Sequence, residues 1–126
     1  EVLRMVSAHI DRVGSGGTAY RYGGEEFCVV FPRKSLDEAA AALDSVREQI
    51  SDYRMSIRDR GKRPARARDG ARRRGATRLG SSQVAVTISA GVAERSEDYP
   101  RPDEVVMYAD KMLYRAKKAG RNRVIY

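Results

Sequence analysis

Two hydrophobic periods alternate along the chain and predict an α/β (α+β) domain, with helices packed on a sheet. Three observations lead there. Val84, Val86, Ile88, Ala90 and Val92 alternate with Thr87, Ser89 and Gly91, the period-two signature of a strand. Leu36, Ala39, Leu43, Val46, Ile50, Tyr53 and Ile57 recur at three- and four-residue steps, the stripe of an amphipathic helix. Between Phe27 and Phe31 the chain is apolar on both faces after Glu25-Glu26, as a strand central in a covered sheet is. At 126 residues it is one domain, long enough to bury roughly two-thirds of its unfolded surface.

In order, residues 1–12 read as a helix, with Val2, Leu3, Val6 and Ile10 on one face. Gly14-Ser15-Gly16-Gly17 ends it as a flexible connection and matches neither a phosphate-binding loop nor a dinucleotide fingerprint. A hairpin follows over about 19–31. Ser35-Leu36-Asp37-Glu38 is a capping box, and the helix it opens is expected to run to Arg58. After the 84–92 strand, Pro100 and Pro102 precede a helix over 103–119. Asp103 and Glu104 suit its positive N-terminal end, and Lys117 and Lys118 its C-terminal end. Val105, Ala109, Met112, Leu113 and Ala116 form its buried stripe, and Gly120 is the expected residue just past its end. Arg121 to Tyr126 leaves as a last strand. The small-residue face of the 84–92 strand predicts close approach of a helix or a ligand to its backbone.

The net charge of +8 has one source. Between Arg58 and Arg78 lie ten basic and two acidic residues, and the remainder is neutral. This segment, extended to residue 82 by its glycines and Pro64, has no clear period and reads as a solvated loop or long hairpin. Its sharper reading is an anion-binding patch. No aromatic residue is interleaved, which counts against a single-stranded nucleic-acid surface, so no nucleic-acid partner is expected. The single cysteine, Cys28, lies in an apolar strand and reads as a small core residue. No apolar run spans a bilayer and no signal peptide is present, so a cytoplasmic compartment is expected. The chain opens on Glu1 inside a helical pattern and reads as a piece of something longer.

The stretch with chemistry in it is Arg21-Tyr22-Gly23-Gly24-Glu25-Glu26-Phe27. Two glycines between strand-forming runs predict a two-residue turn with φ > 0 at both central positions. Two carboxylates then follow at the tip of a stiff ribbon. Successive strand side chains point to opposite faces, so Glu25 and Glu26 are not expected to serve one site together. An ordinary hairpin with solvated acids and a ligand-binding tip are both open on this reading.

Three motifs in order resemble GGDEF-type diguanylate cyclase domains. They are the 21–27 stretch, Val86-Thr87-Ile88-Ser89-Ala90-Gly91-Val92-Ala93, and Ala109-Asp110-Lys111-Met112-Leu113-Tyr114-Arg115-Ala116-Lys117-Lys118-Ala119-Gly120-Arg121-Asn122. The resemblance covers the chain except the basic insertion. It implies an antiparallel-sheet, palm-like nucleotidyl cyclase fold and the condensation of two GTP to cyclic di-GMP with release of pyrophosphate. It also implies a homodimer and a divalent cofactor, Mg²⁺ or Mn²⁺, held by hard oxygen ligands. By the same resemblance Glu25 is the metal ligand and the carboxylate nearest the attacking hydroxyl, with Glu26 a supporting catalytic residue. Gly23 and Gly24 let the nucleotide lie close to the backbone, and Lys117 with Arg121 clamps the β- and γ-phosphates.

Departures from the family sharpen these expectations. The family has an earlier βα segment carrying a first metal-binding Asp, a Phe-Lys pair, and an Asn and an Asp that read guanine. Glu1-Val2-Leu3-Arg4 matches the helix after it, so residues 1–126 are expected to be the C-terminal portion of one domain, lacking its first βα segment. Glu25 alone is a poor site for a hard dication, so this chain by itself is expected to be inactive or nearly so. The alternative is a catalytically silent module that binds guanine nucleotide or cyclic di-GMP. Many members also carry an inhibitory Arg-x-x-Asp. Here Gly14 and Gly17 occupy those places and Arg12 is out of register, so no inhibitory site is expected. The insertion is left as a surface hairpin, a dimer contact or an anionic-surface tether.

Overall fold

The computed structural model describes residues 1–56, 77–79 and 83–126; Ile57 and most of the basic insertion lie outside the described residues. Helix α1 (Val2–Asp11) leads into a hairpin of strands β1 (Thr18–Arg21) and β2 (Phe27–Val30). Helix α2 (Leu36–Asp52) is followed by β3 (Met55–Ser56), β4 (Thr77–Leu79) and β5 (Gln83–Ala85). Then come β6 (Ala90–Gly91), α3 (Pro102–Lys118) and β7 (Val124–Ile125).

The strands form an antiparallel hairpin β1–β2, an antiparallel ladder β3–β5–β4, and a short parallel pair β6–β7. The mixed α/β class holds. The strand expected over 84–92 is divided: β5 ends at Ala85, β6 starts at Ala90, and the alternating residues between them carry no ladder. Alternation reports which side chains are buried, and Val86 is 1% exposed yet pairs with no strand among the described residues. Pairing depends on neighbours that periodicity does not reveal.

Local signals account for the helices. Ser35 caps α2 by accepting from the Glu38 N–H at 3.2 Å, while the Glu38 carboxylate faces the Ser35 N–H at 3.4 Å, so the capping box is closed. The helix ends at Asp52, six residues before the expected Arg58. Tyr53 is extended and 45% exposed, and packs edge-on to His9 of α1 with ring centroids 5.2 Å apart. At α3 the first turn holds Pro102, Asp103 and Glu104 and the last holds Arg115, Lys117 and Lys118, matching the macrodipole at both ends.

The core lies where α1, α2 and the strands meet. Val6, Ile10, Val13, Val46, Ile50, Val84 and Val86 are buried together, with Phe27, Val29 and Phe31 of the hairpin side packed against them. Cys28 is partly buried and free of any disulfide. A smaller cluster of Ala39, Ala40 and Val92 joins α2 to the β6–β7 side. Helix α3 rests on β6 at Gly91. A Cβ there would collide with the Ala109 carbonyl, the Leu113 amide nitrogen and the Met112 carbonyl carbon. The expected close approach to a small-residue strand is made by this helix. Among the described residues, no helix is long and apolar enough to cross a membrane.

Candidate active site

The hairpin closes differently from a two-residue turn. Arg21 pairs with Phe27, leaving a five-residue loop, Tyr22–Glu26, all of it exposed. The Tyr22 and Gly23 N–H groups both donate to the Glu26 carbonyl, at 2.9 and 3.3 Å. The Arg21 guanidinium reaches over the loop and donates from Nη2 to the Gly24 carbonyl at 2.7 Å.

Two expectations fall with the turn type. Neither Gly23 nor Gly24 has positive φ, which among the described glycines belongs to Gly16 and Gly120. A Cβ on either would meet nothing within 4 Å. The chain's own conformation and packing therefore do not demand glycine there; what the two residues leave is a bare stretch of backbone open to a ligand. Glu25 and Glu26 also precede β2, so strand alternation does not separate them, and both line one cleft.

That cleft has a volume of about 760 Å³. Nucleotide-sized ligands need roughly 300–1,000 Å³. Its lining includes Glu25, Glu26 and Tyr22 of the hairpin loop and Lys117 and Arg121 at the end of α3, among many apolar residues of the core such as Val6, Val86 and Val92. The Arg121 N–H donates to the Ala116 carbonyl at 2.9 Å and the Gly120 N–H to that of Lys117 at 3.5 Å, a Schellman closure with Gly120 at φ +115°. Arg121 and Asn122 follow in the left-handed region at φ +64° and +48°. The closure turns the chain back so that residues four apart, one on the helix and one past it, reach the same cleft. Cations and carboxylates lining one cleft suit a phosphorylated ligand accompanied by a cation.

Glu25 offers the hard carboxylate oxygen that Mg²⁺ or Mn²⁺ prefers. Among the described residues no group of three His, Cys, Asp or Glu side chains comes together. The donor type fits such an ion, and the donor number falls short of the several oxygen ligands that it takes.

At the place of the family's inhibitory Asp, a Cβ on Gly17 would stand 2.6 Å from Phe31 Cε1 and 2.9 Å from Val13 Cγ1. A side chain at that position would require Phe31 or Val13 to shift. Two residues beside the site were not singled out from the sequence: Arg21, which ties the loop, and Arg47 of α2, whose Nη1 donates to Asn122 Oδ1 at 2.9 Å. Arg21 adjoins the motif and was findable; Arg47 is 75 residues from its partner and leaves no local signal.

The family pattern described as "Diguanylate cyclase, GGDEF domain" matches residues 1–68 and 64–123. Diguanylate cyclase VdcA of Vibrio cholerae is 34% identical over 126 residues, covering 99% of this chain and 31% of that protein. Diguanylate cyclase DosC of Escherichia coli is 30% identical over 125 residues, covering 98% and 22%. The chain thus spans under a third of these relatives. The crystal structure of the GGDEF domain of DgcB from Caulobacter crescentus, in complex with c-di-GMP, superposes with a TM-score of 0.72 at 31% identity. That match covers 98% of this chain and 60% of the DgcB chain. The palm-like α/β cyclase fold and the three ordered motifs place the chain in one family: it belongs to the GGDEF diguanylate cyclase domains.

Proposed function

We propose that this chain is the C-terminal portion of the catalytic domain of a diguanylate cyclase, which condenses two GTP into cyclic di-GMP and releases two pyrophosphates. The observation that carries this reading is that the Glu25–Glu26 loop and the Lys117/Arg121 helix end line one nucleotide-sized cleft. In each half-reaction the 3′-hydroxyl oxygen of one GTP bonds to the α-phosphorus of the other. The bond from that phosphorus to the bridging oxygen breaks, pyrophosphate leaves, and the hydroxyl proton passes to a base or to water.

Lys117 and Arg121 hold the β- and γ-phosphates and favour the charge that builds on the leaving group. Gly23 and Gly24 let the nucleotide lie against bare backbone. Glu25 would hold the divalent ion and stand nearest the attacking hydroxyl, and Glu26 would support it from the same loop. The ion, Mg²⁺ or Mn²⁺, when bound supplies charge neutralisation at the phosphates. Because the reaction joins two equivalent nucleotides, a two-fold homodimer brings one GTP on each copy to the other. A GTP substrate and a free cysteine suit the cytoplasm.

The test is GTP turnover in the parent protein with Mg²⁺. Glu25→Gln is expected to lower kcat by about 10²- to 10⁴-fold. Lys117→Ala is expected to raise KM for GTP. Wild-type rates in the Glu25 variant would refute the assignment.

A second reading applies to the 126-residue chain taken by itself. With one carboxylate loop as its metal donor among the described residues, its cleft suits binding better than turnover. Calorimetry on this chain is expected to show weak GTP or cyclic di-GMP binding with no product formed; product at the parent's rate would overturn it.

A further inference from the structure

We propose that Arg47 is a positioning residue for the phosphate end of the cleft, acting through Asn122 on the turn from which Arg121 projects. This rests on the proposed role of Arg121 toward nucleotide phosphates. Arg47 lies on α2, and its side chain is only 17% exposed although it carries a full charge. Its Nε donates to Asp44 Oδ1 at 2.6 Å and its Nη1 to Asn122 Oδ1 at 2.9 Å. Glu48 Oε1 is 3.6 Å from its Nη2. The two carboxylates fix the guanidinium on the surface of α2, and the fixed guanidinium fixes Asn122.

Asn122 needs fixing because it and Arg121 are successive non-glycine residues at positive φ. For L residues that conformation is disfavoured, asparagine tolerating it better than most. Such backbone persists where the surroundings over-determine it. Three ties do so here. The Arg121 N–H is held by the Ala116 carbonyl, the Arg121 carbonyl accepts from Arg123 Nε at 3.0 Å, and the Asn122 side chain is held by Arg47. The first two are local to the helix end, while the Arg123 carbonyl just past the turn accepts from the Ala90 N–H at 3.0 Å and seats that side of it on β6. The Arg47 tie reaches from α2, the helix whose N-terminal half borders the same cleft. Together with the β6 seat it sets where the Arg121 guanidinium stands relative to the carboxylate loop, and a phosphate clamp depends on that placement.

Arg47→Met keeps the aliphatic stem and deletes the donors. In the parent protein with Mg²⁺, binding of 3′-deoxy-GTP, which lacks the attacking hydroxyl, is compared with that of GMP, which lacks the clamped phosphates. Arg47→Met is expected to weaken 3′-deoxy-GTP by about fivefold, the scale of one lost orienting hydrogen bond, and to leave GMP unchanged. Asn122→Gly supplies a residue that adopts the turn without a tie, so adding Arg47→Met to it is expected to have no further effect. Equal losses for both nucleotides, or additive effects in the double variant, would overturn the inference. So would unchanged 3′-deoxy-GTP binding in Arg47→Met while Arg121→Ala weakens it. If Arg121→Ala itself leaves 3′-deoxy-GTP binding intact, the phosphate role of Arg121 fails, and the inference with it.

Discussion

At the scale of single residues, two glycines of the family motifs play opposite parts. Gly91 is demanded by packing: α3 lies on its Cα, and an added methyl group would meet helix backbone, which cannot step aside as a flexible side chain can. Gly91→Ala is expected to destabilise the domain by about 1–3 kcal/mol, the scale of an overpacked core, read as a lower denaturant midpoint. Gly23 and Gly24 have open space around them and ordinary φ, so their substitution to Ala is expected to leave the melting temperature within a degree or two while weakening GTP binding. A large loss of stability in those variants would show that the loop needs glycine for its own conformation. Arg21 is a third instance. Its hydrogen bond to the Gly24 carbonyl is exposed and contributes little to stability, yet it ties the loop that carries both glutamates. Arg21→Ala is expected to raise KM for GTP with no shift in melting temperature.

At the scale of elements, the helices follow local chemistry and the strands do not. The capping box at Ser35 and Glu38 was legible because its partners are three residues apart. Ser35→Ala is expected to cost about 1 kcal/mol of stability by thermal unfolding. The Gly120 closure was legible for the same reason, and its φ of +115° makes Gly120→Ala unfavourable by about 1 kcal/mol or more. The end of α2 was misplaced because the apolar stripe continues through Tyr53 and Ile57, which periodicity alone cannot separate from helix. The strand over 84–92 was overextended because alternation registers burial, whereas a ladder needs a neighbour. The turn at Gly23–Gly24 was misjudged because dipeptide chemistry predicts a tight turn, while the Glu26 carbonyl accepting from both Tyr22 and Gly23 widens the loop to five residues.

At the scale of the whole molecule, α1, α2 and the strands share one core centred on Ile50 and Val86, both essentially inaccessible. Ile50→Ala is expected to cost about 2–5 kcal/mol, measured by urea unfolding, because it removes contacts to several elements at once. The cleft is a property of the same scale. Its carboxylate loop is carried by the hairpin on the core, and its cationic residues by the end of α3, which reaches the core region through Gly91 and β6–β7. A variant that shifts α3 on β6 is therefore expected to affect nucleotide binding as well as stability.

By itself the sequence determined the α/β class, the extents of α1 and α3 to within a residue or two, the helix caps, and the family to which the three motifs belong. These rest on interactions between residues a few positions apart, whose spacing is written in the chain. Only the tertiary structure decided that Glu25 and Glu26 line one cleft, that a helix packs on the Gly91 backbone, and that Phe31 and Val13 crowd Gly17. It alone joined Arg47 to Asn122. Each of these is a meeting of residues distant in sequence, fixed by how the elements pack and by nothing local to either partner.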